Sequence, residues 1–335
     1  EAAFRVDGRR FPKGTYVVPL RQPYASFAHT LLSNQVYPNL RQYPGGPPLA
    51  PYDVTAHTLP LLMGIEAIAV DEPLSAGLSA PIAVPELKYT TPSDLSGDRA
   101  PRMAVYKSWR EPMPEGWTRW LLDRHAVPYD TLHDADVRAG SLERYDVFLI
   151  EDQSAEDVVA GWSSEAMPAP YAGGLGRNGV DAVRAFVERG GRVIAIGQAT
   201  DFAIEALDLD VRNRVEGLES QDFYIPGSIL RLRLERDGAL TRDLPEHTSA
   251  WYWRSSRAFD VSDPRARVIA RYGDGDPVLS GWALGHEHVA GKAALVEVTV
   301  GDGSVVLFGF PPNYRGQTIA TWPLLFNAMR YRRGS

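Results

Sequence analysis

The chain has 335 residues, 44% of them hydrophobic and 23% charged, with a formal net charge of −7 and no cysteine. That composition excludes a wholly disordered chain, no apolar run reaches the ~18 residues of a membrane-spanning helix, and the acidic balance gives nucleic acid no electrostatic hold. The missing thiols exclude disulfides, thiolate metal sites and a cysteine nucleophile together, and the length is room for about two domains of ~150 residues.

The chain opens on Glu1 without a basic-then-apolar leader, so it reads as a mature product or a fragment. A first region, residues 1–95, reads as a small α+β spacer module. In FRVDGRRFPKGTYVVPL, turn signals at Val6-Asp7-Gly8 and Pro12-Lys13-Gly14 separate short strands, and TYVVPL is a β-rich run stopped by Pro19. QPYASFAHTLLSNQ fits a short helix with proline in its first turn. VTAHTLPLLMG reads as another short helix and EAIAV as a strand. Between Gln22 and Ile65 only Arg41 and Asp53 are charged. A stretch that poor in charge covers its own core or docks on a partner. The polar TPSDLSGDRAP, residues 91–101, reads as a hinge.

The second region, residues 102–333, alternates strand and helix patterns. RMAVYKSW, YDVFLI and RVIAIG read as strands. GWTRWLLDRH and NGVDAVRAFVERGG read as amphipathic helices, the second ended by Gly190-Gly191. TDFAIEAL reads as a helix with Thr200 as N-cap. This alternation predicts an α/β fold: a mostly parallel, flavodoxin-like sheet with helices on both faces. After Asp210 the pattern turns β-rich, with SILRLRLE, ARVIARY, AALVEVTV and SVVLFGF. Gly-Asp-Gly in VTVGDGSVVLF signals a hairpin, and TIATWPLLFNAMRYR closes the chain as a helix.

Each chemical motif has a plainer reading beside it. Gly174 to Gly179 matches G-x-G-x-x-G, but loop residues precede it rather than a strand, so the glycines read as a flexible entry to a helix and not as a dinucleotide site. His286-Glu287-His288 would put two imidazoles on one side of a strand, where they could share a metal; no third ligand follows from the spacing. No G-x-S-x-G and no H-E-x-x-H is present. RVIAIG followed by Gln198-Ala199-Thr200-Asp201 has the strand-turn-helix order of a nucleophile elbow, yet its tip holds no nucleophile. Arg315 and Gln317 fall between the strand SVVLFGF and the last helix, at the carboxyl edge of the expected sheet, where α/β proteins bind ligands. Trp251-Tyr252-Trp253 alternates, placing two indoles on one strand face, as core or as a sugar or peptide platform.

Six blocks carry a resemblance: GTYVVPLRQPYASFAHTLL, PYDVTAHTLPLLMG, EGWTRWLLDR, PYAGGLGRNGVDAVRAFVERGG, VLSGWALGHEHVAGKAALVEV and VVLFGFPPNYRGQT. They resemble the C-terminal end of large bacterial zinc carboxypeptidases of the carboxypeptidase A type. There a spacer joins the peptidase to a class I glutamine amidotransferase-like domain. The resemblance implies a parent with a zinc-bearing peptidase domain, a secreted or periplasmic setting, and that domain or a second copy of the chain as partner. Neither catalytic motif transfers: the amidotransferase cysteine is absent from Gly197-Gln198-Ala199-Thr200, and the peptidase's H-x-x-E would lie before Glu1. The sequence therefore points to a non-catalytic accessory region serving docking, substrate presentation or oligomerisation, with no cofactor of its own. The alternatives are a small-ligand module, taking a peptide carboxylate or sugar near Gln198, Asp201, Arg315 and Gln317, and a metal-dependent hydrolase using His286 and His288.

Overall fold

A computed structural model describes residues 3–74, 77–84, 86–236 and 238–334, the side chain of Arg99 apart; Glu1 lies outside them. A hairpin of β1 (Phe4–Val6) and β2 (Arg9–Phe11) opens the chain, followed by helices α1 (Ala25–Leu32) and α2 (Leu59–Met63). The α/β part then runs β3 (Met103–Tyr106), α3 (Met113–Arg124), β4 (Asp130–Leu132), α4 (Asp134–Arg138), β5 (Val147–Ile150), α5 (Ala155–Val159), α6 (Gly176–Glu188), β6 (Arg192–Ile196) and α7 (Ala199–Ala206). The β-rich part holds β7 (Val211–Asn213), β8 (Ser228–Leu234), β9 (His247–Tyr252), β10 (Phe259–Val261), β11 (Ala266–Tyr272), β12 (Val278–Ser280), β13 (Ala293–Val300) and β14 (Gly303–Phe308), and α8 (Trp322–Met329) ends it.

Five strands are parallel, in the spatial order β4-β3-β5-β6-β14. Numbered by their sequence order among themselves, that is 2-1-3-4-5, the flavodoxin-like arrangement. From β14 the sheet continues antiparallel through β13, β11 and β8 to β12, with β9 also on β8. The central parallel strands β5, β6 and β14 are largely apolar because both their faces are covered, whereas the edge strand β4 is Asp-Thr-Leu with two exposed residues. Val147 and Leu149, Ile194 and Ile196, and Val306 and Phe308 enter one core with Leu121 of α3 and Leu324 of α8. The residues between them, Phe148, Val193, Ala195, Val305 and Leu307, enter a second core with Phe186 of α6 and Phe202 of α7. The period-2 alternation of a strand thus feeds two cores at once.

The hairpin expected at Gly301-Asp302 joins β13 to β14, with Gly301 at φ 58°. Helix α7 departs from expectation at its start. It begins at Ala199, so Thr200 is no N-cap; its Oγ1 donates to the Gly197 carbonyl at 2.6 Å from within the first turn. The turn at Gly197 feeds the helix directly, leaving no extended residue for a cap.

TYVVPL and EAIAV form no strand. β-rich residues become strands when a neighbour pairs them and a core covers one face, and here Tyr16 is 79% exposed and Val18 49%. Instead of a layer of its own, this region sends one segment onto the β-rich part. The Thr55 and Ala56 amides donate to the Gly227 carbonyl at 2.9 and 3.1 Å. Thr58 Oγ1 meets Ser280 Oγ at 2.8 Å, and Gln35 Oε1 accepts from both hydroxyls and from the His57 amide. Leu62 and Ala56 pack with Ile229 and Trp251.

Phe308 tests the central packing. It is fully buried where the parallel and antiparallel halves meet. Phe308→Ala is expected to lower unfolding free energy by about 3–5 kcal/mol, read from urea unfolding followed by circular dichroism; a loss under ~1 kcal/mol contradicts this packing.

Candidate functional site

In open α/β sheets ligands bind outside the carboxyl ends of the strands, and here those ends gather one buried polar network. Strand β6 stops at Ile196, and Gly197 turns the chain with φ 58°. A Cβ at Gly197 would stand 2.6 Å from the Asp152 carboxyl carbon, so only glycine lets the turn approach. Gln198 follows as the elbow tip, with backbone N donating to Asp152 Oδ1 at 3.0 Å and Nε2 to the same oxygen at 3.3 Å. The second oxygen, Oδ2, accepts a short hydrogen bond from Ser255 Oγ. Burial pushes the Asp152 carboxyl up from its usual range, against these three donors and the nearby Arg257, which favour its charge.

Asp201, in the first turn of α7, is held by Arg257. Nη2 and Nε lie 2.8 and 3.0 Å from Oδ2, and Arg257 Nη1 also donates to the Ser255 carbonyl at 2.8 Å. Asn213 Nδ2 adds a longer contact to Asp201 Oδ1 at 3.4 Å. Guanidinium and carboxylate in this forked geometry fix one another. The elbow is therefore locked to the 253–257 connection by two carboxylates, Asp152 and Asp201.

Beside it, Glu151 is 4% exposed. It accepts a short hydrogen bond from Thr118 Oγ1 of α3 and a 3.2 Å bond from the Asp152 amide. Burial pushes its carboxyl up to about 8. Sequence reasoning missed Asp152, Ser255, Arg257 and the Glu151–Thr118 pair. The available signal was Glu151-Asp152-Gln153, charged and polar residues directly after the apolar strand YDVFLI.

The structure divides the four expected ligand residues. Gln198 and Asp201 join this network, whereas Arg315 and Gln317 are exposed on the loop after β14, with the Arg315 guanidinium 5.2 Å from the Tyr314 ring centre. His286 and His288 sit in a 3₁₀ turn rather than a strand, so alternation does not set them on one side, and His288 packs edge-on to Phe223. Among the described residues no group of three or more His, Asp or Glu is placed to hold a metal ion. Of the two readings of Trp251-Tyr252-Trp253, core packing holds for Trp251, while Trp253 lies just beyond the end of β9. Trp251, 2% exposed, stacks on Tyr314 at 4.4 Å, and Trp253 leans on the same ring at 5.7 Å. Of the motif at Gly174, a Cβ would come within 2.5 Å of the Val158 carbonyl, so that glycine serves close packing against α5.

No protein-family model matches the chain, and no curated protein does. Solved structures similar to it include three of different kinds. A protein of GMP synthase subunit type from Thermoplasma acidophilum has 7% identity and a TM-score of 0.44, covering 68% of this chain and 92% of its own. A glutamine amidotransferase from Methylobacillus flagellatus has 13% identity and a TM-score of 0.41, covering 70% and 96%. A β-galactosidase from Bacillus circulans sp. alkalophilus has 14% identity and a TM-score of 0.40, and the match spans 68% of this chain and 30% of the enzyme. The class itself rests on the strand order: an α/β domain with the flavodoxin-like 2-1-3-4-5 sheet, extended by antiparallel strands.

The raised Glu151 carboxyl gives a pH dependence with a definite sign. Unfolded, the group ionises near its ordinary 4.5; folded, near about 8. Between those values the folded state holds the extra proton, so its stabilisation is complete at low pH and is lost as pH rises towards 8. Urea unfolding of the wild type is expected to weaken from pH 5 to 8 by up to about 1.4 kcal/mol per unit. Glu151→Gln, which keeps an acceptor for Thr118, should flatten that slope. An unchanged slope in the variant contradicts the assignment.

Proposed function

We propose that this chain is a non-catalytic accessory region that docks onto, or presents substrate to, a peptidase-type partner domain. The observation that carries the reading is the elbow tip. In this architecture chemistry collects at the carboxyl ends of the strands, and there the tip is Gln198, its amide spent on Asp152. Ser255 donates to that same carboxylate, and among the described residues no histidine hydrogen-bonds to it as a base would. Asp201 is neutralised by Arg257. The parts of an acyl-transfer site are thus either absent or tied to one another.

A second feature supports docking. The charge-poor stretch does not hide its apolar residues in a core of its own: Tyr24 is 71% exposed, Phe27 65% and Tyr52 96%. Apolar surface of this extent is unusual on a free-standing domain and common where another surface covers it. The zinc-dependent peptidase as that partner is the proposal's reach from the sequence resemblance, and oligomerisation through the same residues is its nearest variant.

The purified chain, incubated with glutamine, simple amides and peptides, is expected to release no ammonia or amino acid above a buffer blank, with or without chelator. Turnover that survives chelation and disappears on Ser255→Ala would overturn the non-catalytic reading.

A further inference from the structure

Three loops meet at the carboxyl end of β9 and β14, and beside the elbow they build a second surface, aromatic and cationic. Trp253 and Tyr314 form its middle, with ring centres 5.7 Å apart. Arg254 lies over Trp253 at 5.6 Å and also 5.7 Å from Tyr224, and Arg315 lies over Tyr314 at 5.2 Å. Both arginines are exposed, and neither guanidinium has a hydrogen-bond or ion-pair partner among the described residues. In a chain of net charge −7, these two cations flank one aromatic pair with no carboxylate holding either.

The loop holding Arg315 is built, not loose. Arg315 has φ 50°, a left-handed backbone that a long side chain adopts only when its surroundings enforce it. Thr318 Oγ1 accepts from the Tyr314 amide at 2.9 Å and donates to the Pro312 carbonyl at 2.9 Å. Under the pair, Trp251 Nε1 and Tyr314 Oη are buried without a partner among the described residues. Buried polar atoms are nearly always satisfied, and an indole N–H can only donate.

The surface continues into a groove. Tyr224 meets Trp282 edge-on at 6.3 Å, and Trp282 with Tyr37, Tyr52, Pro38 and Pro51 lines an open groove of about 450 Å³. Its acid, Asp53, turns to its own backbone, with Oδ1 accepting from the Val54 amide at 2.7 Å.

We infer that this surface binds the C-terminal end of an extended, apolar peptide, with the free carboxylate on Arg254 and Arg315 and the preceding side chains in the Tyr37–Trp282 groove. A guanidinium recognises a carboxylate through paired, charge-assisted hydrogen bonds, and a proline- and aromatic-walled groove takes extended, apolar or proline-rich chain. A neutral sugar would use the rings and leave both cations idle. The inference rests on the accessory reading and sharpens it: what the chain presents to its partner is a peptide end.

The test is calorimetric titration of the full chain with the N-acetylated hexapeptide Ala-Pro-Leu-Pro-Ala-Leu as free acid, as C-terminal amide, and as an amide with an internal glutamate. The free acid is expected to bind at least tenfold more tightly than either amide. The double variant Arg254→Gln/Arg315→Gln should erase that preference, and Trp282→Ala should weaken every peptide while preserving the ratio; thermal unfolding verifies that each variant is folded. Equal binding of acid and amides, or no binding of any peptide, overturns the inference. Tighter binding of a neutral oligosaccharide than of the free acid overturns it as well. Mass spectrometry of the recovered peptide separates the two claims, because cleavage sinks the non-catalytic reading, whereas an intact, unbound peptide sinks only this one.

Discussion

The Asp152 carboxylate joins three parts of the chain that covalent order keeps apart. It follows β5, it receives the backbone and side chain of Gln198 after β6, and it receives the Ser255 hydroxyl from the connection between β9 and β10. Its burial raises the free energy of its charged form, so the arrangement holds only while all three donors stay in place. Gly197 is a consequence of the same constraint, because any Cβ there would collide with the carboxyl group. The Arg257–Asp201 fork then repeats the tie one turn further along α7. An elbow secured on both sides fixes the start of α7.

The parallel half of the fold was legible in the sequence. YDVFLI, RVIAIG and SVVLFGF are largely apolar runs because each strand feeds two cores. The three-residue strands β4, β7, β10 and β12 were not legible, since three residues carry no period. The helices α1, α2, α3, α6 and α8 were read where they lie, the five-residue α4 and α5 were not read at all, and the start of α7 was misplaced. Thr200 has the right chemistry for a cap, and the left-handed turn at Gly197 puts the helix start one residue ahead of it. The site was legible only in outline. The strand-turn-helix order revealed the elbow and the missing cysteine. The partners of the elbow did not show, because Asp152 and Ser255 are 103 residues apart and nothing local in RSSRAF marks Ser255 as the donor.

The first region shows why composition outlasts pattern as evidence. TYVVPL and EAIAV have strand-like residues and no strand to pair with, so propensity had nothing to act on. The scarcity of charge from Gln22 to Ile65 was read as a covered core or a docking surface. The structure covers one part of it against the β-rich strands and leaves another part exposed. Thr55 to Leu62 is covered, held by hydroxyl bonds to Ser228 and Ser280 and by packing on Ile229 and Trp251. Tyr16 to Tyr52 largely remains on the outside.

That division also explains where a ligand surface can form. A groove needs two walls that do not collapse on one another. Here one wall is the outer chain at Tyr37 and Tyr52, and the other is Trp282, on the segment whose backbone amide is fastened by Thr55 and Ser228. The same fastening holds Val54 over Trp251 at the glycine-only position Gly227. The segment from Val54 to Leu62 thus brings an apolar groove alongside the Trp253–Tyr314 pair and its two exposed guanidinium groups. The elbow, where the fold would place chemistry, is closed by its own carboxylates. The neighbouring surface is open, cationic and aromatic, and groups of that kind can recognise a ligand by cation–π and charge-assisted contacts.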